Sequence, residues 1–203
     1  AGKRSANGRR LSTALLALSG LMSYPLSVAA WMSLNKPPAI DNLVPLHLCD
    51  LTAFIAGLAL LTKHPLLRSL TYFWGLAATM QALLTPAITV GFPAWPFVMF
   101  FIQHFAIVGT ALYIPIVEGW RPLDPLWKSP LEVYKWSVIY MAVVLVVNPL
   151  LGTNFGFLSR PPDNPSLIDH LGPWPWYLFA MQAIALTLFL LLALPFRGRR
   201  EER

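Results

Sequence analysis

Six apolar stretches, at residues 11–34, 44–62, 66–85, 97–117, 131–151 and 174–196, take up most of this 203-residue chain. Each is close to the roughly 20 residues that a helix needs to cross about 30 Å of hydrocarbon. Breaks rich in Pro, Asn and Gly separate them: Asn35-Lys36-Pro37-Pro38, His64-Pro65, and residues 85–96, 119–130 and 152–175. The runs are continuously apolar, with no alternation, which selects helices over a β-barrel. At 56% hydrophobic and 12% charged residues, the chain has too little polar surface to coat a water-soluble globule. The expected fold is all-α: one integral membrane domain, residues 1–203, of six transmembrane helices with no soluble domain.

Lys and Arg give the orientation. With the N-terminus inside, the cytoplasmic stretches hold Lys3, Arg4, Arg9 and Arg10, then Lys63 and Arg68, then Arg121, Lys128 and Lys135, then Arg197, Arg199, Arg200 and Arg203. Only Lys36 and Arg160 of the fifteen fall outside. That split predicts both termini in the cytoplasm and fails if any one helix is removed. It also explains the net charge of +6 without nucleic acid, since no basic run is interleaved with aromatics in a polar domain. The basic start, the apolar run from Leu11 and Ser27-Val28-Ala29 share the form of a signal peptide. The run is read instead as the first helix, kinked or broken at Pro25.

Polar residues within the apolar segments are costly, and their default meaning is functional. Pro45-Leu46-His47-Leu48-Cys49-Asp50 places an imidazole, the only thiol and a carboxylate at the outer start of the second segment. Gln81 lies about one turn from the outer end of the third segment. Gln103 and His104 lie about two turns into the fourth, Asn148 near the outer end of the fifth, and Gln182 about two turns into the sixth. All of them share the outer half, whereas the inner halves are nearly all apolar. This favours a cavity open to the outside over a transport path, which needs polar groups on both sides of the midplane.

At about 100° per residue, His47 and Asp50 share a helix face and Cys49 points elsewhere. A base for Cys49 is therefore expected from another helix, and His104 stands at similar depth. A neighbouring imidazole is the usual way to obtain a thiolate at neutral pH. Each group also has a structural reading: a lone membrane Cys is most often packing, and His or Gln between helices often only bonds a partner. Their clustering at one depth favours a site. Trp95, Trp174, Trp176 and Tyr177 are expected to be interfacial anchors, and the long outer loop 152–173 a lid or a rigid cap. One Cys forms no intrachain disulfide, and no Cys/His spacing suggests zinc, so neither metal nor cofactor is expected.

His47-Leu48-Cys49-Asp50 after Pro45-Leu46, the run from Gln81 to Pro86 with Gly91-Phe92-Pro93, the His104 segment, Gly152-Thr153-Asn154 and Leu171-Gly172-Pro173-Trp174-Pro175 together resemble the YwaF-type, transmembrane-protein-164-like family. The resemblance covers residues 44 to 196. It implies a lipid acyltransferase, distantly similar to androgen-induced-protein-type membrane hydrolases that use a nucleophile and a histidine. By that similarity Cys49 corresponds to the nucleophile and His104 to the histidine.

The resulting expectation is a thiol-dependent lipid acyltransferase or acyl hydrolase in a bacterial cytoplasmic membrane, acting on membrane lipids. Cys49 and His104 are its catalytic pair, and His47, Asp50, Gln81, Asn148, Asn154 and Gln182 its supporting or substrate-binding groups. The alternative is a non-catalytic accessory subunit of a larger membrane complex. Haem held by His47 and His104 is a weaker third reading.

Overall fold

The computed structural model describes residues 2–197, with side chains described from residue 6. The helical proportion is 72%, and the described residues contain no strand. Helix α1 spans Gly2–Met32, α2 Leu48–Thr62, α3 Pro65–Trp74, α4 Met80–Leu84, α5 Trp95–Ile116, α6 Lys128–Leu151 and α7 Trp176–Ala193. A π-helical turn, Gly75–Thr79, joins α3 to α4, so that residues 65–84 form one rod. Short 3-10 turns lie at Ile40–Asn42, Phe155–Phe157, Leu167–His170 and Leu194–Phe196.

Four helical stretches are long and apolar enough to cross a membrane: Ala6–Met32, Trp95–Ile116, Lys128–Leu151 and Trp176–Phe196; Leu48–Thr62 is a shorter apolar one. Their exposed residues are those of a lipid-facing surface. Leu11, Leu15, Leu18, Met22 and Leu26 line one side of α1, and Val143, Val146 and Leu150 stand out from α6. Such a face is stable only against hydrocarbon, and the chain is an integral membrane protein.

Several boundaries differ from the sequence expectation. α1 begins at Gly2, so the polar residues before Leu11 are helical, and it runs unbroken through Pro25. α2 begins at Leu48, because Pro45 has no N–H and disfavours helical backbone at Val44. The turn between α2 and α3 is only two residues long, with Lys63 in the left-handed conformation and Pro65 opening α3. Of the basic residues used to assign orientation, Arg199, Arg200 and Arg203 lie outside the described residues, as do the side chains of Lys3 and Arg4.

α1, α2, α3 and α5 pack on one another, and α6 joins them through α3, with α7 against α6. α1 crosses α2 closely at two glycines. A Cβ on Gly20 would stand 2.6 Å from the Ala53 carbonyl oxygen, and one on Gly57 2.6 Å from Leu21 Cγ. Only small residues permit such an approach.

Two clusters of buried side chains mark the ends of the bundle. At one end Tyr72, Phe73, Trp74, Trp120 and Phe189 pack together, with Phe196 against Tyr72. There Tyr72 donates to the Leu192 carbonyl, Tyr113 to the Arg9 carbonyl, and Arg68 pairs with Glu118. At the other end Val144, Phe155, Leu158, Tyr177 and Leu178 form the core. The loops after α1, α4 and α6 meet there. Asn154 N–H donates to Asp41, and the Asn164 amide donates to the carbonyls of Pro86 and Ile88.

Candidate functional site

His47 is the N-cap of α2, with extended backbone, so helical angles do not govern where its ring goes. Helical spacing therefore does not relate His47 to Asp50, although the two are within electrostatic range of each other. Its carbonyl accepts from Asp50 N–H and Leu51 N–H, while its ring lies edge-on to Phe155, with centroids 5.2 Å apart, and near Phe157. Cys49 is half-buried in the first turn of α2, within electrostatic range of Asp50 and of the Tyr140 hydroxyl of α6.

Asp50 reaches across to α5. Its Oδ1 accepts a 2.8 Å hydrogen bond from the Nε2 of Gln103, a residue of α5 with 3% of its surface exposed. Asp50 is also within electrostatic range of Tyr24 on α1 and of His47. A buried carboxylate needs such partners to offset its desolvation.

His104 follows Gln103 on α5 and is 1% exposed. Its Nδ1 is 2.7 Å from the Phe100 carbonyl one turn earlier, and its ring packs on that of Phe100 with centroids 4.0 Å apart. A carbonyl only accepts, so Nδ1 carries the proton and Nε2 holds the lone pair. His47 is within its electrostatic range. The start of α2 thus meets α5 through Asp50 and Gln103, and the segment before it meets α6 through Leu46 and Tyr140.

The remaining expected residues divide between the loops and other surfaces. Asn148, 1% exposed, is committed at both ends of its carboxamide: Nδ2 donates to the Phe155 carbonyl, and Oδ1 accepts from Thr153 Oγ1 and Phe155 N–H. Asn154 donates through Nδ2 to the Arg160 carbonyl and accepts at Oδ1 from Ser159 N–H and Arg160 N–H. Both fold the loop that follows α6. Gln81 bonds Thr85 in its own rod and borders a separate depression of about 330 Å³ with Ser166 and His170. Gln182 donates to the Met141 sulfur between α6 and α7, leaving its Oε1 buried without a hydrogen-bond partner.

Tyr177 is a core residue, not an interfacial anchor: it is fully buried, and its hydroxyl donates to the Phe157 carbonyl. Trp95, Trp174 and Trp176 are exposed at the helix mouths as anchors are. The 152–173 loop is pinned, through Asp41, Asn164 and Tyr177, and carries Phe155 as a buried plug beside His47.

Two contributors were not marked by the sequence as strongly as the rest. Gln103 stood beside His104 in an apolar helix and was visible as a polar neighbour. Tyr140, whose hydroxyl donates to the Leu46 carbonyl at 2.9 Å, has no charge or spacing to set it apart. Among the described residues no group of three or more His, Cys, Asp or Glu is placed to hold a metal ion.

Comparison with curated proteins and with solved structures finds no match. The family model described as "TMEM164 family" does match, over residues 1–193. That span takes in every helix, so the chain belongs to the TMEM164 family of membrane proteins.

Proposed function

We propose that the protein is a thiol-dependent lipid acyltransferase or acyl hydrolase whose nucleophile is Cys49 and whose base is His104. The observation that carries this reading is the Asp50–Gln103 hydrogen bond. Asp50 follows Cys49 and Gln103 precedes His104, so this one bond ties the first turn of α2 to α5 at the residues flanking both groups. The Nδ1–Phe100 bond supports it further, because it leaves the lone pair on Nε2, the atom a base must use.

In this mechanism Nε2 of His104 takes the Cys49 proton, and the thiolate attacks the carbonyl carbon of a lipid ester. Collapse of the tetrahedral intermediate breaks the ester C–O bond, and the departing alkoxide takes the proton from the imidazolium. The acyl group is then held as a thioester on Cys49. A second lipid hydroxyl, or water, gives its proton to His104 and attacks the thioester, releasing the acyl product and the Cys49 thiolate, which recovers the proton. The Tyr140 hydroxyl, which donates to the Leu46 carbonyl, fixes the segment that leads into Cys49.

The same reading takes the six rods as six crossings of a bacterial cytoplasmic membrane, with both termini inside. It is supported by the Lys and Arg split and by the meeting of alternate loops at opposite ends. The test is lipid acyl turnover by the purified protein and its Cys49→Ala variant. Loss of turnover supports the mechanism; an unchanged rate in Cys49→Ala excludes it. Activity found only within a stoichiometric larger assembly would favour the accessory-subunit alternative.

A further inference from the structure

Between α1 and α5, on the lipid-facing side, runs a groove of about 290 Å³ lined by Leu18, Met22, Leu26, Met99 and Ile102, with Ser19 and Ser23. Five of the seven lining residues are apolar, and the Ser23 hydroxyl donates to the Gly20 carbonyl of its own helix. Two methionines give it an adaptable wall. Two observations place it beside the candidate site. Met99 and Gln103 are one turn apart on the same face of α5. Ser23 adjoins Tyr24, which is within electrostatic range of Asp50 and donates through its hydroxyl to the Leu43 carbonyl at the outer end.

On the aqueous side the loop after α6 is tied down. Thr153, Asn154, Phe155 and Leu158 are buried, Phe155 against the His47 ring, and the loop that carries them is bonded to Asp41, to Tyr177 and, at Asn164, to the 86–88 segment. α1 and α5 are both long and apolar enough to cross the membrane, so what lies against their outer surface is hydrocarbon.

We propose that this groove is an acyl-chain binding site, through which a membrane lipid reaches the polar site sideways from the bilayer while the outer loop stays in place. The inference rests on the acyl-transfer reading for what the bound lipid then does, but not for the binding itself.

The experiment uses the full chain in phosphatidylcholine nanodiscs doped with a phospholipid carrying a photoreactive diazirine in one acyl chain. After irradiation, labelled residues are mapped by mass spectrometry. Labelling of Met22, Leu26, Met99 and Ile102 several-fold above that of the more exposed Val146, Leu150 and Phe179 is expected. Labelling no higher than on that second face overturns the proposal. A Met22→Trp/Ile102→Trp variant fills the groove and should lose most of the groove labelling and of the turnover on two-chain lipids; unchanged labelling also overturns it. Should the variant not fold, the wild-type map decides alone. Groove labelling with unchanged turnover in Cys49→Ala would fail the acyl-transfer mechanism and leave the groove standing.

Discussion

Asp50 and Gln103 hold each other where neither would be stable alone. The carboxamide supplies a donor to a half-buried carboxylate at the start of α2, and the carboxylate occupies an amide buried in the middle of α5. Gln103→Leu removes the donor and leaves the charge unpaired, which should destabilise the protein by about 1–3 kcal/mol. An unfolding midpoint in mild detergent reads this loss. The Asp50→Leu/Gln103→Leu double variant should recover part of it, since replacing both partners spares the orphaned group; a double variant no more stable than Gln103→Leu would show that the bond is not what Gln103 supplies. His104→Ala should slow lipid acyl turnover by about 10²- to 10⁴-fold, the range of a general base, without a matching fall in stability. Loss of activity that merely follows unfolding would assign His104 to packing instead.

At the scale of elements, two contacts decide how the helices meet. The α1–α2 crossing has no room for a side chain at Gly57, where the nearest atoms belong to Leu21 and to the Ala17 carbonyl. Gly57→Val should cost about 1–3 kcal/mol through overpacking, measured as a lowered unfolding midpoint; an unshifted midpoint would mean that the crossing opens freely. The loop after α6 is held by Asn148, whose loss leaves the Phe155 N–H and the Thr153 hydroxyl to find new partners in a buried place. Asn148→Ala should therefore expose the 152–158 stretch to protease at concentrations that leave wild type intact, and equal resistance would contradict its role as the loop's anchor. Helix positions were legible in the sequence because twenty-residue apolar runs and Pro-rich breaks are local signals. The α2 start was not, since the effect of Pro45 on the backbone before it outweighed the apolar pattern from Val44. Gly156 shows the same limit: it has φ of 63°, and a Cβ there would stand 2.9 Å from the Tyr140 hydroxyl, a neighbour sixteen residues away in the chain.

Across the whole molecule, depth along each helix was readable and partnership across helices was not. Residue spacing put Cys49, Asp50, Gln81, Gln103, His104, Asn148 and Gln182 in the outer halves of their segments; of these, Asp50 and Gln103 bond each other. Spacing does not say which face a residue outside a helix will take, and His47, the N-cap, turned to Phe155 of a loop over a hundred residues away. Nor does it separate the amides that serve the loop, Asn148 and Asn154, from the one that meets Asp50. Six crossings with both termini inside predict that single cysteines at positions 36, 90 and 163, in a Cys49→Ser background, react with an impermeant maleimide from one side of the membrane, and those at 64 and 122 from the other; a mixed pattern would contradict that topology. The most direct test of the account is the intact mass of the protein after exposure to a phospholipid bearing a labelled acyl chain. One acyl group is expected on Cys49, released by neutral hydroxylamine as thioesters are, with the adduct absent and turnover reduced on the order of 10³-fold or more in Cys49→Ala. Wild-type turnover in Cys49→Ala, with no adduct on the native protein, would contradict it.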